Sequence, residues 1–232
     1  MSSKLIMLMA ALLLSELLLA QDETDKKNAV EFGFQHSLNF THLNGEGGPI
    51  NYSNRFENYE QLSNRLTFDL GLFAIIHLSK TIAIQPEAVY SFMGGHFQKN
   101  TTHLHDLGAF ETSGKESFAI DYIKGSLSTN IKFNELVFLQ VGGYGATKLS
   151  AEIFYPEPDL FDNREKASLT GVRNFDAGIL GGFGMSTNVL NLTFRYHHGL
   201  LDVFEQGDFE ELDLQNGVFQ FVLQWKIHSD LR

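Results

Sequence analysis

The chain contains no cysteine among its 232 residues. Disulfides, thiolate metal sites, cysteine nucleophiles and the lipid-bearing cysteine of a lipoprotein are therefore all excluded. Proline is scarce as well, with 4 residues, whereas glycine and phenylalanine contribute 21 each. This balance suits glycine-bearing strands with aromatic residues at their outer positions.

Basic residues are also few. The chain has 17 Lys and Arg against 28 Asp and Glu, which gives a formal net charge of -11 and a pI near 5.2. A protein that binds nucleic acid normally needs a basic face that replaces the counterions on phosphate. We therefore expect no nucleic-acid partner.

Long hydrophobic runs are missing outside the N-terminus, where Lys4 precedes an apolar run, residues 5–20, that contains Glu16. A membrane-spanning helix needs about 20 apolar residues, so we interpret this shorter run as a signal peptide cleaved after Ala20. A retained anchor is the alternative. Leu18, three positions before the cut, is larger than the small residue usual there, so the pattern indicates export more strongly than the exact cleavage site. The predicted division is a signal peptide at 1–20, a periplasmic segment at 21–28 and one domain at 29–228.

The segment Leu190–Tyr196 shows the pattern that organises the whole domain. Its apolar residues alternate with polar ones, and in a strand such residues lie on opposite faces. The same alternation predicts eight strands, over Val30–Phe40, Arg65–Leu78, Ile82–Phe92, Phe118–Phe133, Val137–Glu152, Phe175–Met185, Leu190–Tyr196 and Phe219–Ile227. In the fourth strand the alternation slips by one position, which we interpret as a β-bulge near Tyr122.

The connections between these strands are long and short in turn. Polar segments at 42–64, 93–115, 153–171 and 199–214 alternate with two-residue turns at 79–80, 134–135 and 187–188. Long connections at one end and tight turns at the other are typical of an outer-membrane barrel. The predicted fold is therefore all-β, an eight-stranded antiparallel up-and-down transmembrane β-barrel. The alternative is a soluble sandwich or barrel with its polar face outward.

The polar faces carry charges of both signs. An eight-stranded barrel is just wide enough to be filled by side chains, so we expect these charges to pair and plug the lumen rather than to line an ion or proton path. The predicted inward set is Glu31, Arg65, Asp69, Glu87, Lys124, Lys132, Lys148, Glu152, Asp176, Arg195 and Lys226.

Several segments of the second half resemble a known family. They are Asp121–Lys124, Val141–Tyr144, Phe175–Gly178 with Gly182 and Gly184, Phe194–Tyr196 with Gly199 and Leu200, and Asn216 before the last strand. In these segments the chain resembles the outer-membrane barrel family of Bacteroidetes that includes the PorT-like and OmpX-like small barrels. It departs from the family at Ser126, where proline is usual, and at its non-aromatic C-terminus. The resemblance implies an outer-membrane barrel and leaves the activity open.

Three constellations are candidates for chemistry or binding. His96, His103, His105 and Asp106 offer metal ligands in the second long segment, although solvated loop residues explain them better because no ligand spacing fixes a geometry. The fourth long segment holds six acidic residues that suit divalent cations bridging lipopolysaccharide phosphates, a basic partner, or simple solvation: Asp202, Glu205, Asp208, Glu210, Glu211 and Asp213. A rim serine with His197 or His198 is the weakest candidate, for a lipid-modifying enzyme.

The expected function is non-catalytic and needs no cofactor. The expected partners are outer-membrane lipid, lipopolysaccharide and, through the long loops, extracellular material such as a protein. Two alternatives stay open, a PorT-like accessory of protein secretion and an enzyme acting on envelope lipid.

Overall fold

The computed structural model describes residues 30–44, 49–51, 55–105, 108–154, 166–205 and 214–227. The signal peptide and the periplasmic segment expected before residue 29 lie outside these residues. None of the described residues form a helix that is long and apolar enough to cross a bilayer.

Eight long strands and three short ones make up the described chain. In chain order they are β1 Val30–Asn44, β2 Pro49–Asn51, β3 Arg55–Ser63, β4 Arg65–His77, β5 Ile82–His105, β6 Gly108–Lys132, β7 Val137–Phe154, β8 Lys166–Ser168, β9 Phe175–Ser186, β10 Leu190–Asp202 and β11 Gln215–Ile227. The eight long strands pair antiparallel in the circular order β1-β4-β5-β6-β7-β9-β10-β11, and β11 pairs back with β1. The predicted eight-stranded barrel is confirmed. Closure leaves no open strand edge within the wall, which hydrocarbon would penalise.

The two faces of each strand meet opposite surroundings, as β4 illustrates. Leu72 is 64% exposed on the outside of the barrel, whereas Asp69 is 2% exposed inside. Large apolar side chains are exposed along the outer faces of all eight barrel strands. An apolar exterior around a polar interior is the arrangement of a barrel in lipid, and it is the reverse of a soluble one.

The short connections all lie at one end of the barrel. Backbone hydrogen bonds close each of them: Ser79 N–H donates to Ile82 O at 3.0 Å, Phe133 N–H to Val137 O at 3.0 Å and Thr187 N–H to Leu190 O at 2.8 Å. The other connections lie at the opposite end, as predicted, but the one between β5 and β6 spans only residues 106–107 and is not long.

The segment 93–115, predicted to be a long loop, is instead mostly strand. β5 runs for 24 residues and β6 for 25, and they pair without interruption from Ile82 with Ile131 to His105 with Gly108. Beyond the bilayer both faces of a strand can be polar, so its hydrophobic alternation disappears while backbone pairing continues. The same loss of alternation explains why the sequence does not predict β3, which pairs with the outer part of β5.

The β-bulge predicted in β6 lies in its neighbour. Asp121 pairs with Ser150 and Tyr122 with Lys148, so the unpaired residue is Leu149 of β7. In β6 itself Ile120 and Tyr122 are buried on the same side as Lys124. The slip in the sequence pattern therefore marks the level at which the lumen becomes apolar, not a change of phase.

The bulge also corrects the prediction for Glu152. Beyond Leu149, Ile153 pairs with the inward-facing Phe118 and is buried, and Glu152 pairs with Ala119. Neighbouring residues of a strand face opposite sides, so Glu152 does not belong to the inward set.

Candidate functional site

The glycines of β9 create the space that the lumen needs. A Cβ at Gly182 would lie 2.5 Å from the Cβ of Arg195, and one at Gly178 would lie 2.5 Å from Cε1 of Tyr144. Both glycines are on the inner face of β9. Because these glycines have no side chains, two large side chains of neighbouring strands have room inside the barrel.

Arg195 of β10 and Glu87 of β5 form a two-point ion pair inside the barrel. Nη1 lies 2.7 Å from Oε1 and Nη2 lies 2.9 Å from Oε2. The two side chains are 2% and 0% exposed. In the circular strand order β5 and β10 are opposite each other, so this pair spans the lumen.

A second ion pair lies beside the first. Lys124 Nζ of β6 is 2.9 Å from Asp69 Oδ2 of β4, and Asp69 also accepts hydrogen bonds from Ser91 Oγ at 2.8 Å and Asn39 Nδ2 at 2.6 Å. Gln220 joins the two pairs, because its Oε1 accepts from Arg195 Nε at 2.9 Å and its Nε2 donates to Asp69 Oδ2 at 2.8 Å. Each buried charge thus has an opposite charge and further hydrogen bonds, which is what burial of ions requires.

Neutral amides, which are not in the predicted inward set, complete this layer. Gln85 Nε2 donates to Glu87 Oε1 at 2.6 Å, Gln35 Nε2 donates to Glu87 Oε2 at 3.1 Å, and Gln224 Nε2 donates to Gln35 Oε1 at 2.6 Å. All three glutamines fall on the predicted polar faces of their strands, so their spacing alone indicates an inward position.

The end of the barrel with the tight turns carries a third cluster. Glu31 accepts from His77 Nε2 and pairs with Lys226 Nζ, both at 2.8 Å. Lys132 Nζ lies 3.3 Å from His77 Nδ1. This cluster is more exposed than the central pairs, so it closes the periplasmic end with groups that water can still reach.

The extracellular half of the lumen is largely apolar, a layer that the inward charges of the sequence do not predict. One polar group within it is Asp176, which accepts from Tyr144 Oη at 3.1 Å and Asn216 Nδ2 at 2.9 Å. The surrounding buried cluster consists of Leu43, Met93, Phe118, Ile120, Tyr122, Tyr144, Ala146, Ile153, Leu169, Val172, Val203, Phe204, Leu214 and Val218. The lumen is therefore plugged twice, by ions at its centre and by hydrocarbon above them.

Two chain segments fold across the extracellular mouth. Val172, before β9, forms a bridge with Phe204, after β10, and both are buried. Arg173 N–H donates to Val203 O at 2.8 Å, and the Arg173 side chain pairs with Glu205 at 3.3 Å. These contacts cover the apolar layer on its extracellular side.

Three charged residues predicted for the ion-pair network make other contacts. Lys148 Nζ donates to Val172 O at 2.5 Å and so helps to hold the mouth closed. Arg65 Nη1 donates to Phe118 O at 2.6 Å. Asp176 is bonded to the neutral donors described above. The predicted residues that come together in ion pairs are Glu31, Asp69, Glu87, Lys124, Arg195 and Lys226.

Most of the predicted metal-ligand constellation lies outside what the structure describes. His96 Nδ1 lies 2.6 Å from Ser117 Oγ, while Asp106 and the side chains of His103 and His105 lie outside what the structure describes. Within the described part of the chain, no group of three potential metal-ligating side chains occurs. His197 is fully buried on the lumen side, whereas His198 packs beside Tyr196 on the other face of β10.

The acidic segment is described only at its start. Glu205 pairs with Arg173, and the Asp202 carbonyl accepts from Arg173 Nε at 3.0 Å. Asp208, Glu210, Glu211 and Asp213 lie outside the described residues. Their predicted cation or partner binding stays a prediction.

Comparison with solved structures finds small outer-membrane proteins. Ail of Yersinia pestis, crystallised with the heparin analogue sucrose octasulfate, is 12% identical, with 85% of this chain and 99% of Ail covered and a TM-score of 0.44. Neisserial surface protein A is 10% identical, with 86% and 99% covered and a TM-score of 0.46. OprG of Pseudomonas aeruginosa is 11% identical, with 85% and 97% covered and a TM-score of 0.29.

Family assignment rests on sequence. No curated protein matches the chain. Residues 19–205 match the family described as outer membrane protein beta-barrel domain, and the closed barrel with its apolar exterior agrees with that match. The chain belongs to the outer-membrane β-barrel protein family.

Proposed function

We propose that the chain is a non-catalytic surface protein that binds extended polypeptide through a sheet projecting from its extracellular end. The observation that carries this proposal is the length of β5 and β6, at 24 and 25 residues. A strand needs only about 9–11 residues to cross the outer membrane. The remaining residues form a hairpin beyond the bilayer, to which β3 and β2 add.

The filled lumen supports a role at the surface rather than in conduction. The Arg195–Glu87 pair spans the barrel, and the apolar layer beneath Val172 and Phe204 covers it from outside. A hydrated ion would have to displace buried, paired charges to pass. We therefore place the interaction surface outside the barrel.

One edge of the projecting sheet suits a partner. Residues 108–116 of β6 pair with β5 on one side, and pairing of β6 with β7 begins only at Ser117. Among the residues that the structure describes, none pairs with the other edge of 108–116. An open edge offers main-chain donors and acceptors to which an extended peptide adds as a further strand.

The direction of each backbone N–H along this edge follows from the other end of β6. Lys132 N–H donates to Thr81 O, on the β5 side, and Phe133 N–H donates to Val137 O, on the β7 side. Donors alternate along a strand, and the β5–β6 register is unbroken. The N–H of odd-numbered residues such as Ser113 therefore points to the open edge.

The test removes one such donor. Ser113→Pro deletes an edge N–H without touching the β5–β6 hydrogen bonds, and proline is tolerated at this kind of position; Ser113→Ala is the matched control that keeps the donor. Cells that display either variant or the parent chain are compared for adhesion to protein-coated surfaces. Reduced adhesion with Ser113→Pro alone supports the proposal. Equal adhesion by all three chains, or adhesion no greater than that of cells lacking the protein, contradicts it.

A second candidate is an accessory role in protein secretion, which the resemblance to PorT-like proteins of Bacteroidetes favours. The glycines of the matching segments, Gly178 and Gly182, give room to Tyr144 and Arg195, so this part of the resemblance has a structural reason. Deletion of the gene followed by analysis of the exported proteins tests the role. The expected result is loss of specific cargo proteins from the medium. In this role the signal peptide at 1–20 directs export of the barrel itself.

A further inference from the structure

Two histidines approach each other on the outer wall of the barrel, at the seam where its first and last strands close. His42 is in β1 and His198 is in β10, and both pair with Gly217 of β11, the strand between them. Their neighbours along the chain, Leu43 and His197, are buried on the lumen side, and successive residues of a strand face opposite sides. The two imidazoles therefore lie in one row on the outer face.

Gly217 lets the side chains of this row converge. A Cβ at Gly217 would lie 2.4 Å from His42 Nε2 and 2.7 Å from Asn44 Nδ2. The His42 and Asn44 side chains thus cross over the backbone of β11 in the direction of β10. A residue with a side chain at this position would push them back.

The amide of Asn44 joins the two imidazole rings. Its Oδ1 lies 3.1 Å from His42 Nε2, and its Nδ2 lies 3.5 Å from His198 Nδ1. Tyr196 Oη accepts from the same Nδ2 at 3.2 Å. One nitrogen of each ring therefore faces the same small polar group.

Aromatic contacts fix the orientation of both rings. His42 stacks on Tyr196 and on Phe219, with ring centroids 6.0 and 5.8 Å apart, and His198 stacks on Tyr196 at 6.2 Å. Imidazoles that are already held in place lose less conformational entropy when they bind a ligand together.

The chemistry of this group suits a metal ion better than a lipid phosphate. Imidazole, amide, phenol and phenyl groups carry no fixed positive charge, on which strong phosphate recognition depends. Imidazole nitrogen is a favoured ligand of Cu²⁺, Ni²⁺ and Zn²⁺. An ion bound about 2.0–2.1 Å from each nitrogen would displace the Asn44 amide from between the rings.

We propose that His42 and His198 together bind a divalent transition-metal ion on the outer wall of the barrel, with water at the remaining coordination positions. The ion links β1 to β10 across β11 and so stabilises the seam at which the barrel closes. In the circular strand order β11 is opposite β6. The metal site is therefore independent of the open edge of β6 and of the proposed binding of polypeptide.

The first experiment measures binding of Cu²⁺, which nitrogen ligands bind most tightly among the divalent first-row ions. The full barrel, expressed without a histidine tag, is refolded in detergent micelles and titrated with Cu²⁺. Electron paramagnetic resonance then shows how many imidazole nitrogens coordinate the ion. We expect a site with two such nitrogens. A spectrum with one nitrogen or none overturns the inference.

Two variants and a control locate the site. His42→Gln and His198→Gln each remove one ligand and should weaken Cu²⁺ binding at least about tenfold, since loss of even an outer-shell partner costs that much. His36→Gln is the matched control, because His36 lies on the same face of β1 as His42; it should leave binding and spectrum unchanged. Binding as tight in both ligand variants as in the parent chain overturns the site.

Gly217→Ala tests the geometry while both histidines stay in place. The new methyl displaces His42 and Asn44, so we expect about tenfold weaker Cu²⁺ binding, as for loss of an orienting group. Gly181→Ala, where nothing lies within 4 Å of the new Cβ, should have no effect. Equal binding by the two alanine variants contradicts the convergence of the rings over Gly217.

A last measurement tests stabilisation of the seam with Zn²⁺, which has no redox chemistry. A ligand of the folded state alone, at a free concentration 100 times its Kd, raises the folding equilibrium constant about 100-fold. Zn²⁺ should therefore shift the urea unfolding midpoint of the parent chain upward and leave that of His198→Gln unchanged. Equal midpoints of the parent chain with and without Zn²⁺ overturn the stabilising role.

Discussion

The guanidinium of Arg195 reaches across the barrel and holds both carboxylate oxygens of Glu87, a residue 108 positions earlier in the chain. The two strands that carry them share no ladder and lie on opposite sides of the wall. Contact between them therefore depends on closure of the whole barrel, and the pair tests the closed fold more directly than any neighbouring-strand contact.

Glu87→Gln is expected to destabilise the barrel strongly. The amide keeps the shape of the side chain but leaves the buried Arg195 charge without its partner, which typically costs about 3–5 kcal/mol. The measurement is the free energy of unfolding from a urea titration in lipid vesicles. The double variant Glu87→Gln with Arg195→Met, which removes both charges, is expected to recover part of this loss. A double variant less stable than Glu87→Gln alone would contradict the explanation that the unpaired Arg195 charge causes the loss of stability.

The two glycines in the middle of β9 should respond differently to the same change. In Gly182→Ala the new methyl meets the Cα and Cβ of Arg195 at 2.7 and 2.5 Å, whereas nothing lies within 4 Å of a Cβ at Gly181. Overpacking typically costs about 1–3 kcal/mol, so we expect that loss for Gly182→Ala and little or none for Gly181→Ala. Unfolding titrations of the two variants provide the comparison. Equal effects would contradict the close approach of Arg195 to the wall.

The sequence predicted the inward and outward faces of most strands because lipid and lumen each act on every second residue. It predicted the eight strands for the same reason. It could not predict that Arg195 meets Glu87, since partners across a lumen depend on the stagger of the strands around the barrel. Nor did it indicate that Gln220 joins the two central ion pairs.

The extracellular half of the barrel was harder to predict. Ile120 and Tyr122 are apolar and buried inside the barrel. An apolar residue of a membrane barrel normally faces lipid, so the pattern predicts a phase slip where none exists in β6. The outer parts of β5 and β6 were missed because strands outside the membrane lose the alternation that identifies them. Both errors arise where the lipid no longer decides which face is apolar.

The turn between β6 and β7 depends on Asn134. Its Oδ1 accepts the N–H groups of Leu136 at 2.9 Å and Val137 at 2.7 Å, as an asparagine at the start of a turn often does. Asn134→Ala should therefore lower the free energy of unfolding by about 1 kcal/mol, because these exposed bonds are each worth little. Glu135→Ala, one residue along in the same turn, should change it by less than about 0.5 kcal/mol. A larger loss of unfolding free energy for Glu135→Ala than for Asn134→Ala would mean that Asn134 is not the residue that stabilises the turn.

The position of the apolar belt can be tested along β6 alone. Leu127 is 59% exposed on the outer face, six residues before Phe133, which is 70% exposed beside the periplasmic turn. At about 3.4 Å per residue along a strand tilted by about 40°, this separation places Leu127 roughly 15 Å deeper and so near the bilayer midplane.

Arginine at these two sites should therefore have unequal costs. Leu127→Arg is expected to lose about 2–4 kcal/mol of unfolding free energy in vesicles, and Phe133→Arg about 0–1 kcal/mol, because the cost of a charge on the lipid face falls from the midplane to the interface. Refolding into vesicles with thinner and thicker hydrocarbon cores separates depth from local packing, since only a depth effect changes with bilayer thickness. If Leu127→Arg instead folded as well as the parent chain in every vesicle, the exposed leucines and phenylalanines would not be meeting hydrocarbon, and the apolar exterior would need another explanation.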